Sequence, residues 1–307
     1  MNKTAAVKND VKKIKLSRGD RIFDVFNYIL MILAALSILY PVYFIIVSSF
    51  SDPMAVQAGQ TMLHPVNITF EGYKTIFETT RILRSYGNTI FYTFAGTAIN
   101  LVITMMCSYA LTVRNLPGKK LILLLIIFTM LFDGGMIPRF LIVRNIHIYD
   151  TIWAMLLPRA AWVFCILIAR TFLEQTIPYE LYECAQTEGC SFSRYFFSVV
   201  LPLSPALIAI LILYYGTGHW NSYLDGMLYL QNNALYPLQL VLREILIAEQ
   251  QMSSMGADSA EALQQILERA ETLKYAVIVF ATLPVLVVYP FLQKYFVKGV
   301  MIGAIKG

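Results

Sequence analysis

The sequence predicts an all-α membrane protein with six transmembrane helices. Three observations carry that expectation. The 307 residues are 58% hydrophobic and only 14% charged, with a mean hydropathy of +0.62, whereas a soluble domain has about a quarter of its residues charged. The apolar residues come in blocks, several of them near the roughly 20 residues that a bilayer crossing needs. Much of the basic excess, in a net charge of +5, sits in the N-terminal tail and at the C-terminal end, where it sets topology rather than binding nucleic acid.

Six spans follow in order, at about residues 22–50, 88–111, 121–137, 151–172, 199–215 and 273–291. The first follows a basic tail at residues 1–21 and is too long for the apolar region of a cleaved signal peptide, so it reads as a retained helix. The third and fifth are short. Lys and Arg in the loops give the orientation. The N-terminal tail carries Lys3, Lys8, Lys12, Lys13, Lys15, Arg18 and Arg21, the loop after span two carries Arg114, Lys119 and Lys120, and the C-terminal end carries Lys294, Lys298 and Lys306. An even number of spans puts all three on one side, the cytoplasmic one, together with both termini. The outward segments are about 51–87, 138–150 and 216–272. In the last, Asp258 and Glu261 read as a helix N-cap pair, and Leu263, Ile266, Leu267, Ala270 and Leu273 keep helical spacing into span six.

The loop after span four breaks the charge rule: Glu174, Glu180, Glu183 and Glu188 face Arg194 alone. Pro178 suits a helix start, Glu180 and Glu183 suit its positive end, and Gly189 suits a left-handed stop. Ser191 can cap a second short helix running toward Leu201-Pro202. The expectation is a helix–turn–helix across the cytoplasmic face, with Cys184 and Ala185 small enough to admit another protein's surface.

Glu183-Cys184-Ala185, three residues, Gly189, nine residues, then Val199-Val200-Leu201-Pro202 resembles the EAA loop of ABC-importer permeases. It departs from that pattern at Cys184 for Ala and at Val199 for Ile. Further likeness to carbohydrate permeases of the MalG-like subfamily, LplC/YtcP type, lies in Arg21-Ile22-Phe23-Asp24, Tyr40-Pro41, Gly134-Gly135-Met136-Ile137-Pro138, Trp220-Asn221 and Tyr236-Pro237-Leu238-Gln239. The tail from Lys298 to Gly307 matches as well.

The resemblance implies a type I ABC importer (MetI/MalG-like) permease fold and import of an oligosaccharide or polysaccharide fragment. It makes residues 22–296 a permease domain whose coupling loop, at about 174–202, docks on an ATPase subunit through Glu183, Cys184, Ala185, Gly189, Leu201 and Pro202. It implies that the tail at 297–307, with Gly303, Lys306 and Gly307, reaches the ATPase subunits. The partners it implies are a second permease in a heterodimer, two ATPase chains holding ATP and Mg²⁺, an extracytoplasmic sugar-binding protein, and the lipid of a bacterial cell membrane. No cofactor is expected on this chain and no nucleic acid among its partners.

Asp133 in the third predicted span and Arg159 in the fourth put charges near the middle of the hydrocarbon core. Intramembrane charges pair or face a polar cavity, so these two either line the translocation path or form a structural ion pair. Asn88 and Asn100 in span two suit packing better than the path, since amides bridge helices. The cysteines Cys107, Cys165, Cys184 and Cys190 show no disulfide or metal spacing, and His64, His147 and His219 read as structural.

Other function classes fit less well. A secondary transporter driven by an ion gradient, the alternative, predicts inverted repeats, and the sequence shows none. A membrane enzyme predicts a motif such as His-Glu-x-x-His or Gly-x-Ser-x-Gly, also absent. The Gly-x-x-x-x-Gly-Lys-Ser/Thr phosphate loop is missing too, so hydrolysis of ATP is assigned to partner chains.

Overall fold

The computed structural model describes residues 17–254 and 273–291, with residues 248–254 by backbone alone. Most of the basic N-terminal tail, the cap pair at Asp258 and Glu261, and the C-terminal tail with Gly303, Lys306 and Gly307 lie outside the described residues. The described chain is helical, without a strand.

Helix α1 (Arg18–Ser49) starts with a capping box in which Ser17 and Asp20 each bond the other's backbone N–H. Only Val47, Ser48 and Ser49 of this helix are buried. The short helices α2 (Pro53–Gln57) and α3 (Glu71–Glu78) cross one end of the body and lead into α4 (Thr80–Thr112). Helix α4 is the axis of the fold. Its buried positions include Ser85, Thr89, Gly96, Thr97, Asn100, Thr104 and Ser108. Small and polar residues let membrane helices approach closely where lipid removes the hydrophobic drive for association.

Sequence and structure agree on α1, α4 and α14 (Leu273–Phe291), the three described helices long and apolar enough to cross a membrane. The other predicted spans are broken. The third is α5 (Lys119–Leu131) followed by α6 (Met136–Asn145), bent by 113°. The elbow is built by Asp133 Oδ1, which accepts from Gly135 N at 3.1 Å, and by Gly135 itself at φ +85°. A positive φ there is accessible to glycine without steric cost.

The fourth is α7 (Trp153–Leu156) and α8 (Val163–Thr176), separated by a turn that contains Pro158, which has no N–H to continue a helix. The fifth is α10 (Phe192–Tyr195), extended by a π turn at Phe196–Val200, then α11 (Pro205–Trp220), bent by 89°. Pro202 and Pro205 therefore do more than kink this span: they divide it. Between α8 and α10 lies α9 (Tyr179–Thr187). After α11 come α12 (Tyr223–Tyr229), a 3₁₀ turn at Asn233–Leu235 and α13 (Leu238–Ser254).

Helix α11 packs along α4. Thr104 and Tyr215 share a buried hydrogen bond of 2.6 Å, and Trp220 Nε1 donates to Ala281 O of α14 at 3.1 Å. Asn88 Nδ2 donates to Ala234 O and Tyr236 O at 2.8 and 3.1 Å, a packing role as expected. One core cluster gathers α4, α8, α10 and α11 around Met105, Leu173, Tyr195, Leu207 and Leu211. A second, toward the opposite end of α4, gathers Ile76, Ile82, Leu238, Val241 and Val277.

Candidate functional site: the surface helix and the central cavity

The role that the resemblance implies calls for a surface open to a partner and a polar space among the helices. The described chain has a region of each kind.

The surface element is α9. Its helix follows Pro178, which stands one position before the first helical residue. The end is a Schellman stop: Gly189 N donates to Gln186 O at 3.0 Å and Cys190 N to Ala185 O at 2.9 Å, with Gly189 at φ +71°. Ser191 then caps α10, its hydroxyl accepting from Arg194 N. The predicted helix–turn–helix is present.

The two faces of α9 differ. Glu183 and Cys184 are exposed, and a Cβ built on Gly189 would meet nothing within 4 Å. Ala185 points the other way and packs, with Tyr182 and Cys190, against the cluster of α4, α8, α10 and α11. The small residue at Ala185 thus serves close packing of α9 onto the membrane helices, whereas Cys184 is the small residue on the open face. Leu201 and Pro202 form the elbow between α10 and α11, where Leu201 joins the same cluster.

Ion pairs tie the end of α8, just before α9, to the start of α5. Glu174 at the end of α8 accepts from Arg170 at 2.9 Å and pairs with Lys119 at 3.4 Å. Lys119 also reaches Val113 O at 3.3 Å. Arg114 lies over the Tyr179 ring, 3.8 Å from its centroid. The acidic loop after α8 and the basic loop after α4 are therefore at one end of the molecule. Burial pushes the Tyr182 phenol up, against the hydrogen bond from Gln186.

The polar space is a cavity of about 770 Å³ beside α4 at Asn100, lined by both Asp133 and Arg159. They do not pair with each other. Asp133 takes Arg139 at 2.9 Å, and Arg159 takes Asp225 at 3.0 Å. Asn100 belongs to this cavity and donates from Nδ2 to Arg159 O at 3.1 Å, so its role is in packing and at the cavity wall together. Asp225 was not legible as a site residue, because the segment from 216 onward reads as an outward loop. The available signal was a lone acid in the apolar stretch Tyr223–Tyr229. Trp162 and Tyr214 also line the cavity, and nothing in their spacing marks them. Among the described residues no cluster of His, Cys, Asp and Glu could hold a metal ion, and all four cysteines are free.

No family model matches the chain. Individual proteins do. Protein LplC of Bacillus subtilis (strain 168) is 40% identical over 291 residues, covering 95% of this chain and 97% of its own length. The polygalacturonan/rhamnogalacturonan transport system permease protein YtcP of the same strain is 39% identical, covering 94% and 99%. The chain belongs to the sugar ABC importer permeases. The permease also superposes on a chain from the crystal structure of a bacterial ABC transporter that imports the acidic polysaccharide alginate. The TM-score is 0.83 at 32% identity, covering 92% of this chain and 100% of that one. The permease is thus a non-enzymatic membrane subunit of an ATP-driven sugar importer, and the ion-gradient alternative is set aside.

Proposed function

We propose that this permease forms half of a translocation path and receives the force of ATP hydrolysis through α9. The observation that carries this reading is the two-faced character of α9. Glu183, Cys184 and Gly189 are open to a partner, while Ala185 and Cys190 are seated on the cluster shared by α4, α8, α10 and α11. A displacement of α9 by an ATPase subunit moves four membrane elements together, as rigid-body alternating access requires. Coupling then runs through Leu201 and Pro202 at the elbow into α11.

The same reading assigns the partners. A second, related permease supplies the other half of the path, and two ATPase chains bind ATP and Mg²⁺. An extracytoplasmic binding protein delivers the sugar. The α9 end is cytoplasmic, with both termini on that side, since its basic residues Arg114, Lys119 and Lys120 follow the topology rule. Residues 22–296 form the permease domain in six spans. Gly303, Lys306 and Gly307 of the tail contact the ATPase chains, and Asp133 and Arg159 face the path. Helix α1, nearly all of it unburied, is covered by lipid and the second permease. Polygalacturonan and alginate both carry carboxylates on their sugars, which makes an acidic oligosaccharide the substrate class.

The decisive experiment is Gly189→Val in the assembled complex. A β-branched residue at φ +71° costs on the order of 1–3 kcal/mol, and it undoes the stop that sets α9. Sugar uptake is abolished while the chain still reaches the membrane and the binding protein still binds sugar. Wild-type uptake in an assembled Gly189→Val complex overturns the assignment of α9.

A further inference from the structure

The central cavity combines two kinds of wall. One is charged, with Arg159, Arg139 and Asp133. The other is aromatic, with Trp162 and Tyr214, which are 45% and 39% exposed. Their rings meet edge to face with centroids 5.8 Å apart. Charged side chains are costly against lipid and turn instead to polar spaces. Aromatic rings that share a cavity with three of them face that space too.

Arg159 is held from behind. Its Nε engages Asp225, whose side chain is 10% exposed, at 3.0 Å. Its backbone carbonyl accepts from Asn100, which is 1% exposed. A guanidinium carries five N–H donors in one plane, and the ion pair with Asp225 engages the one on Nε. The Arg159 side chain remains 47% exposed, which suits a fork for a second carboxylate. Asp133 on the same wall is likewise paired, with Arg139 at 2.9 Å. Asn100 stands twenty residues after Thr80 and twelve before Thr112, or about 30 Å and about 18 Å from the two ends of α4 at 1.5 Å per residue. The cavity therefore lies well inside both ends of α4, and its volume lies within the roughly 300–1,000 Å³ of small-molecule sites.

We infer that this cavity is an intramembrane oligosaccharide site on this chain. Arg159 binds a sugar carboxylate, and Trp162 and Tyr214 take the apolar faces of the sugar rings. The inference rests on the acidic-oligosaccharide reading above and adds the residues that recognise the acid. Without an anchored Arg159 the same cavity would admit neutral sugars equally well.

The test is uptake by whole cells carrying the complete transporter, with two probes: trigalacturonate and its neutral methyl ester. Arg159→Gln alone strands Asp225, so the variant is Arg159→Gln with Asp225→Asn, and assembly is followed by co-purification of the ATPase chains. The acid-to-ester uptake ratio falls about tenfold or more, the loss expected for a charge-assisted contact. Arg159→Lys keeps the ion pair and lowers the ratio by less, which serves if the double variant does not assemble. Trp162→Ala reduces uptake of both probes, and Trp162→Phe restores much of it. The binding protein meets the same probes in every strain, so a changed ratio belongs to the permease. An unchanged ratio in an assembled Arg159 variant, or an equal fall for both probes, overturns the inference while leaving the importer reading intact. Failure of the wild type to take up trigalacturonate overturns the acidic-substrate reading, and this inference with it.

Discussion

The His219 ring lies so close to the backbone of Gly96 that a methyl group on Gly96 would sit 2.4 Å from ring atoms. This contact sets how near α11 approaches α4, alongside the Thr104–Tyr215 hydrogen bond. Gly96→Ala is expected to force the helices apart at a cost of roughly 1–3 kcal/mol. The check is the melting temperature of the detergent-solubilised chain. Gly96→Ala combined with His219→Ala recovers part of the loss, because the two groups compete for one volume.

Ala185 and Cys184 are neighbours in sequence, but Ala185 packs on the core while Cys184 is exposed. Ala185→Leu overpacks the cluster beneath the helix and lowers stability by about 1–3 kcal/mol. Cys184→Leu leaves stability within about 0.5 kcal/mol, as for a surface change, and instead weakens capture of the ATPase subunit. Thermal unfolding and ATPase co-purification, measured on both variants, separate these effects. Equal loss of stability in the two would contradict the facing described here.

Glu174 joins Lys119 and Arg170 in one partly exposed cluster. Pairs of this kind contribute about 0.2–1 kcal/mol each. Glu174→Gln is therefore expected to change the melting temperature little. It should reduce uptake several-fold, by freeing the loop after α4 from the end of α8 that leads into α9. A melting temperature that falls as far as that of Ala185→Leu would show a structural role instead.

Asp133 and Arg159 have separate partners, so Asp133→Asn and Arg159→Gln should be close to additive in stability. The coupled pair is Arg159 with Asp225. Arg159→Gln leaves a nearly buried carboxylate unpaired and is expected to cost more than Asp225→Asn, whose stranded arginine is 47% exposed and reaches the cavity. A double-mutant cycle on each pair measures this. Strong coupling between Asp133 and Arg159, with none between Arg159 and Asp225, would refute the pairing.

Much of the architecture was legible because the cues are local. The apolar runs of α1, α4 and α14 are long and uninterrupted, and the helix stop at Gly189 and cap at Ser191 each depend on residues within a few positions. The spacing from Glu183 to Pro202 points to the family by itself. The broken spans were less legible. Hydropathy averages over a window, and it passes smoothly through Asp133-Gly134-Gly135, Pro158 and Pro202, where the backbone turns.

By itself, the sequence determined that this chain is a membrane-embedded helical permease, and it marked α9 as the surface element. Both follow from composition and short-range spacing, which act through solvation and local backbone preference. Only the tertiary structure decided which charges pair, which face of α9 is open, and that Trp162 and Tyr214 share a cavity with Arg159. Asp225 is 66 positions from Arg159 in the chain, and no periodicity links them. They meet because α12 folds back against the turn between α7 and α8, and a carboxylate buried there needs a cation in reach.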